Sequence, residues 1–144
     1  MIITFCGHDN VSDIQKVKEW LCNVLDRFIR EENVVCYLGG YGGFDRLAAS
    51  VVRQKQKENP TIRAVLVIPY LNGKYDESDY DDTLFPPLES VPPRYAIVKR
   101  NKWMVSQADV VVAYVTHGWG GAAKTLEYAR LKGKKVVLYP KRCE

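Results

Sequence analysis

The chain has 144 residues, 47% of them apolar and 26% charged, with a formal net charge of +4. These totals exclude a disordered or fibrous chain and suit one ordinary globular domain over residues 1–144, while the modest, dispersed charge makes a nucleic-acid partner a weak expectation. No apolar run approaches the ~18 residues of a membrane span, and Met1 to Cys6 reads as a strand rather than a signal peptide, so the expected location is cytoplasmic with no membrane partner.

Ile2 to Cys6 is a short apolar strand of the kind that parallel sheets cover on both faces. It runs into Gly7-His8-Asp9-Asn10, a loop expected at the carboxyl edge of the sheet, where open α/β folds place their ligands. His8 there is either a loop hydrogen-bonder or a ligand contact. Ser12-Asp13-Ile14-Gln15 has the form of a capping box, and Ile14, Val17, Leu21, Val24, Leu25 and Phe28 recur at helical spacing, giving an amphipathic helix to about Arg30.

Val34 to Leu38 is a second strand, followed by Gly39-Gly40-Tyr41-Gly42-Gly43-Phe44-Asp45. Four glycines in five positions are more than a plain turn needs; they let the backbone approach a ligand closely, and the amides opening the next helix suit a phosphate. The spacing is neither the dinucleotide G-x-G-x-x-G nor a Walker A loop. Leu47, Ala48, Val51 and Val52 give the helix its inner face, and Pro60 closes it. Asp45, in the first turn, is explained either by the helix dipole or as the acceptor of a ligand hydroxyl.

Ala64 to Ile68 is a third strand. Residues 70–94 form a flap-like loop with an acidic stretch, Asp76 to Asp82, which is expected to be solvated rather than metal-binding because it lacks the EF-hand pattern. Tyr95 to Val98 reads as a fourth strand, and a short helix from Lys99 to near Ala108 puts Lys99, Arg100 and Lys102 at its start, against the dipole. An anionic ligand on Arg100 would relieve that conflict; a structural ion pair is the other account. Asp109 to Thr116 holds the most apolar run and is expected to be a central strand. It opens into a second glycine loop, His117-Gly118-Trp119-Gly120-Gly121-Ala122-Ala123-Lys124-Thr125, then a helix from about Ala122 to Lys132 with Gly133 at its end, and a last strand, Lys135 to Tyr139. The tail, Lys141 to Glu144, carries no signal.

Four cysteines, Cys6, Cys22, Cys36 and Cys143, include no C-x-x-C pair, and with two histidines no metal site is expected; Cys6 and Cys36 read as core. The order β-α-β-α-β-loop-β-α-β-α-β defines the α/β class: a mostly parallel, Rossmann-like sheet with helices on both faces. Two glycine turns on one edge would make a crevice lined by Gly7, His8, both glycine loops, Arg100 and Glu127, and no resident cofactor is expected.

The turn Gly-Gly-x-Gly-Gly-Phe-Asp in the first half and Gly-Gly-x-x-x-Thr-Leu-Glu in the second resemble the SLOG superfamily, which includes the Lonely Guy phosphoribohydrolases, YpsA-like proteins and the DNA-uptake protein DprA. The resemblance covers Ile2 to Tyr139, and Arg100 to Val105 followed by Ala108-Asp109 looks most like small YpsA-type members. In the phosphoribohydrolases the second motif is Pro-Gly-Gly-x-Gly-Thr-x-x-Glu. Gly120, Gly121, Thr125 and Glu127 match it in part, with Trp119 in place of the proline, Lys124 in place of the glycine, and the glutamate two residues after the threonine instead of three. Ala108 to Tyr128 also resembles a related nucleotide N-hydrolase. The resemblance admits a homodimer, for which Trp103 and Trp119 are contact candidates unless they pack in the core.

Three functions follow from this reading. A binding module would hold a phosphate-bearing nucleotide through Gly7, His8, Gly39, Gly40, Gly42, Gly43, Arg100, Gly120, Gly121, Lys124 and Thr125, and it ranks first because the enzyme motif is imperfect. An N-glycosidase acting on nucleoside 5′-monophosphates would need Glu127 against the developing oxocarbenium charge and Asp45 or His8 as proton donor. A single-strand nucleic-acid binder would rest on Lys99, Arg100, Lys102 and Trp103, and ranks last.

Overall fold

A computed structural model describes residues 1–140; Cys143 and the rest of the tail lie outside the described residues. Six strands, β1 (Ile2–Gly7), β2 (Val35–Leu38), β3 (Arg63–Val67), β4 (Asp82–Leu84), β5 (Val110–Tyr114) and β6 (Lys135–Leu138), form one sheet in the order β4-β3-β2-β1-β5-β6. All five neighbouring pairs are parallel. The chain thus has an α/β, Rossmann-like architecture, with an entirely parallel sheet.

Strand alternation assigns the two faces. Ile3 and Phe5 of β1, with Val110 and Val112 of β5, pack against α1 (Ile14–Ile29) and α2 (Gly43–Glu58). Cys6, Val111 and Ala113 point the other way, onto Val105 of α3 (Ala96–Gln107) and Leu126 and Ala129 of α4 (Gly121–Leu131). Burial pushes the thiols of Cys6 and Cys36 up to about 12, as inert core groups require. In α1, Asp13 rather than Ser12 is the cap, its carboxylate accepting from the Lys16 amide at 3.2 Å, and Ile14 is 60% exposed, so the buried stripe begins at Val17.

Two expectations are corrected. Tyr95 to Val98 is not a strand: Pro93–Tyr95 is a single 3₁₀ turn leading into α3, and the buried positions Ala96, Arg100 and Met104 follow helical spacing.

 Ala96, Arg100 and Met104 are buried while Ile97 and Val98 face solvent, so the four-residue period and the helix-initiating Pro92-Pro93 prevail over the β-propensity of Tyr, Ile and Val. Lys99, Arg100 and Lys102 consequently lie inside α3 rather than at its start, and the conflict with the dipole does not arise. The fourth strand is instead β4, within the flap-like segment. Asp81 accepts from the Ala64 amide at 2.7 Å and from Gln56 at 2.6 Å, Asp82 pairs with Arg63, and Asp79 pairs with Arg53 at 3.3 Å. The acidic stretch is therefore what fastens this segment to β3 and α2. Its tyrosines complete the anchoring: the Tyr70 hydroxyl donates to the Pro93 carbonyl at 2.9 Å and that of Tyr75 to the Tyr70 carbonyl at 3.0 Å.

Because β1 lies between β2 and β5, the chain leaves β1 toward one side of the sheet and leaves β5 toward the other. Such a switch point opens a crevice at the carboxyl ends of the strands.

Candidate functional site

A cleft of about 580 Å³ occupies that switch point, within the range of small-molecule sites. Of the residues singled out by sequence, Gly7, His8, Gly42, Asp45, Arg100, Gly120, Gly121 and Thr125 line it. Gly39, Gly40, Gly43 and Lys124 do not.

The first glycine turn is closed by the protein itself. Gly42 caps α2 with φ 93° and ψ 170°. The Gly43 amide donates to the Asp9 carboxylate at 2.8 Å and to its carbonyl at 3.1 Å, and the Phe44 amide donates to the His8 carbonyl at 3.3 Å. A Cβ on Gly43 would collide with the Asp9 carbonyl oxygen, and one on Gly7 with the Phe44 ring. Gly39 is hemmed in by Asp45 and Arg100, and Gly40, at φ 66°, by Leu66. These glycines are accounted for by close packing within the chain.

The second turn repeats the cap and lacks the cover. Gly120 caps α4 with φ 92° and ψ 177°. A Cβ on Gly118, Gly120 or Gly121 would meet nothing within 4 Å. Among the described residues the amides of Gly121, Ala122 and Ala123 have no acceptor, so three N–H groups and the positive end of the helix dipole are left unsatisfied, with Gly121 and Ala122 lining the cleft and Ala123 the hollow beside it. Thr125, below them, is buried and donates its hydroxyl to the Gly121 carbonyl at 2.9 Å.

Asp45 and Arg100 form the floor. Arg100 is 2% exposed; its guanidinium donates to the carbonyls of Gly39 at 3.0 Å and Val67 at 2.8 Å, capping the ends of β2 and β3, and to the Asn101 side chain at 2.9 Å. Burial pulls this guanidinium below its ordinary value, against the pull of Asp45. Burial likewise pushes the Asp45 carboxyl up to about 7, although Arg100, the Tyr41 amide and Arg46 all oppose the rise. An acid so poised can give or take a proton near neutrality.

Glu127 stands apart from this floor. It is exposed and lines a second hollow of about 370 Å³ with Arg130 and Leu138; only Thr116 and His117 line both depressions. The sequence contains the reason. Two residues along a helix turn the side chain by about 200°, whereas three return it to within about 60°, so Glu127 points away from Thr125.

The sequence pointed to His8 and Trp119 separately and not to the ring column they form with His117 at the cleft mouth. His8 is buried, and its Nε2 accepts from the Thr116 amide at 3.0 Å, which requires a neutral ring; burial and the neighbouring His117 lower its pKa accordingly. His117 stacks on His8 with centroids 3.7 Å apart, and Trp119 stacks on His117 at 3.6 Å. The signal for this lay in the repeated Gly-aromatic-Gly-Gly sequence, Gly40 to Gly43 and Gly118 to Gly121. Trp103, by contrast, stacks on Tyr37 at 5.7 Å, and Lys102 lies over Tyr128, so with Arg100 buried only Lys99 of the basic segment is exposed.

No protein-family model matches the sequence, and no curated protein matches it. Solved structures do. The chain is similar to DprA from Streptococcus pneumoniae (TM-score 0.69, 17% identity, 97% of this chain and 50% of that one). It is similar to DNA processing protein A from Helicobacter pylori, a structure concerned with that protein's single-stranded DNA binding mode (TM-score 0.66, 16% identity, 100% of this chain and 67% of that one). It is also similar to the structural-genomics target TM1055 (TM-score 0.61, 19% identity, 94% of this chain and 71% of that one). These likenesses show a shared Rossmann-like α/β fold. The chain spans half of the Streptococcus protein's length. No helix among the described residues is long and apolar enough to cross a membrane.

Proposed function

We propose that the cleft binds a phosphate-bearing nucleotide or nucleotide-derived ligand, with the phosphate on the open amides of Gly121, Ala122 and Ala123, and that the protein acts as a binding module or sensor. One observation carries this: of two glycine caps with the same backbone conformation, the first has the amides of Gly43 and Phe44 taken by Asp9 and His8, while among the described residues the second leaves all three opening amides without an acceptor and its glycines without neighbours. Helix N-termini of that kind favour anions. Isothermal titration with inorganic phosphate, ribose 5-phosphate and the four ribonucleoside 5′-monophosphates tests the reading, alongside Gly121→Asp. A carboxylate in the first turn suits the helix dipole, so this variant keeps its melting temperature while phosphate ligands lose at least tenfold in affinity. Unchanged affinity in Gly121→Asp would move the phosphate elsewhere.

N-glycosidase activity is the second reading, favoured by the Asp45 carboxyl near 7 in the cleft wall. Asp45 would protonate the departing base. Glu127, exposed beside another hollow, would need a different role from the one the family motif implies. Overnight incubation with the same monophosphates and chromatography for free base decides it: base released by the wild type and not by Asp45→Asn establishes hydrolysis, and no release with binding intact leaves the sensor.

A further inference from the structure

Three rings stand in a column at the cleft mouth, and the fold itself gives no need for the outermost. His8 is the base of the column, fixed by the hydrogen bond it accepts from the Thr116 amide. His117 lies on it with planes 10° apart, and Trp119 lies on His117 with planes 22° apart. The indole is 71% exposed, so one face covers His117 and the other is bare. Its chain neighbours, Gly118 and Gly120, have no atom within 4 Å of where a side chain would begin. A tryptophan on so open a loop would ordinarily sample several rotamers; two stacked rings beneath it hold its plane. The other Gly-aromatic-Gly-Gly turn carries Tyr41, 72% exposed, and Tyr41 and Trp119 both line the cleft.

We propose, building on the reading of the cleft as a nucleotide site, that the His8–His117–Trp119 column is a stacking platform for the nucleotide's planar base, with Trp119 as the residue that selects ligands carrying one. A base offers a flat, polarisable face that matches an indole, and stacking tolerates any base while favouring the larger purines. The platform adjoins the open amides in sequence, since Trp119 directly precedes Gly120. A phosphate at those amides and a base on the indole therefore fall within one mononucleotide. A held indole also gives up little rotamer freedom on binding, which is the benefit of preorganisation.

The test is a fluorescence and calorimetric titration of wild type, Trp119→Ala and Trp119→Phe with ribose 5-phosphate, adenosine and uridine 5′-monophosphates, free adenosine, and a short oligodeoxyadenylate. Trp20 and Trp103 are packed against Tyr139 and Tyr37, so quenching by a stacked base reports on Trp119. The adenosine monophosphate is expected to quench emission and to bind more tightly than the uridine one. Ribose 5-phosphate is expected to bind without quenching. In Trp119→Ala the adenosine monophosphate weakens roughly 5- to 100-fold and ribose 5-phosphate does not change, while Trp119→Phe keeps most of the affinity. Equal weakening of both ligands, or no weakening of either, would overturn the platform and leave the phosphate reading intact. If no phosphate ligand binds the wild type, the nucleotide reading fails; the platform then survives only if free adenosine quenches Trp119. Tighter, steeply salt-dependent quenching by the oligodeoxyadenylate would overturn the mononucleotide assignment in favour of a single-strand groove.

Discussion

The two glycine turns share a sequence type and a cap geometry and differ in what lies above them. Gly42 and Gly120 sit within a few degrees of each other in both backbone angles. Over the first lies the loop after β1, with Asp9 and His8 accepting from the amides of Gly43 and Phe44. Over the second, among the described residues, lies no atom that the glycines need to avoid. Glycine richness therefore has two causes in one molecule: close approach of the chain's own backbone in the first turn, and room for another molecule in the second. The number of glycines does not separate these cases, since the closed turn has more of them.

The sharpest way to break the comparison is to add one methyl group to each turn. Gly43→Ala drives a Cβ into the Asp9 carbonyl, where only a backbone shift gives relief, and should cost about 3 kcal/mol in urea unfolding. Gly121→Ala should change stability by less than about 0.5 kcal/mol, because its Cβ meets open space at a helix N-terminus. Similar losses from both would mean that the second turn is closed as well.

Local pattern made most of the fold legible and only part of the site. Apolar runs located β1, β2, β3, β5 and β6, because each of the first four buries at least one face, β6 packs its apolar residues partly against the core, and all have few polar interruptions. β4 was hidden: its three residues, Asp82 to Leu84, have no apolar run and are held by partners distant in sequence, Arg63 and Ile68 among them. Tyr95 to Val98 misled because propensity was weighed above the spacing of Ala96, Arg100 and Met104. In the site, the positions of Gly7 and His8 followed from the end of β1 and that of Gly120 from the loop after β5. Which glycine turn would be open did not, because it depends on Asp9 reaching Gly43 across 34 residues of chain. Arg100 was expected at a helix start, with an anionic ligand or an ion pair as its partner, because α3 was started three residues late, which concealed that it falls on the buried face.

The floor of the cleft offers a second, smaller contrast between the turns. Asp45 belongs to the closed turn and is held at about 7 against an ordinary 3.8, chiefly by burial. Below pH ~4 the carboxyl is protonated in folded and unfolded chains alike, and no penalty applies. As pH rises toward 7 the unfolded chain ionises first, so stability falls, and above about 7 the full cost is present. Asp45→Asn removes that cost and can still accept from the Tyr41 amide. It should be more stable than wild type by on the order of 2 kcal/mol at pH 8, with the gain vanishing near pH 4. Urea midpoints at pH 4, 6 and 8 measure this, and a gain independent of pH would sink the buried-acid account.

The open turn has a titrating group of the opposite sign. His8 accepts from the Thr116 amide only while neutral, and burial, then His117, depress its pKa below the ordinary 6.5. The stabilisation is complete above pH ~6.5 and is lost as pH falls through the folded value, because the unfolded chain takes up the proton more readily. Losing that hydrogen bond costs about 1 kcal/mol and should loosen the ring column, so Trp119 emission should change over the same range as the melting temperature drops. His8→Gln should flatten both profiles; an unchanged slope in that variant would mean the turn is fastened by something else. Asp45 contributes the contrary slope across the same interval, so the comparison is cleanest in an Asp45→Asn background. There, acid that protonates His8 should loosen the turn that His8 fastens and leave the first glycine turn in place.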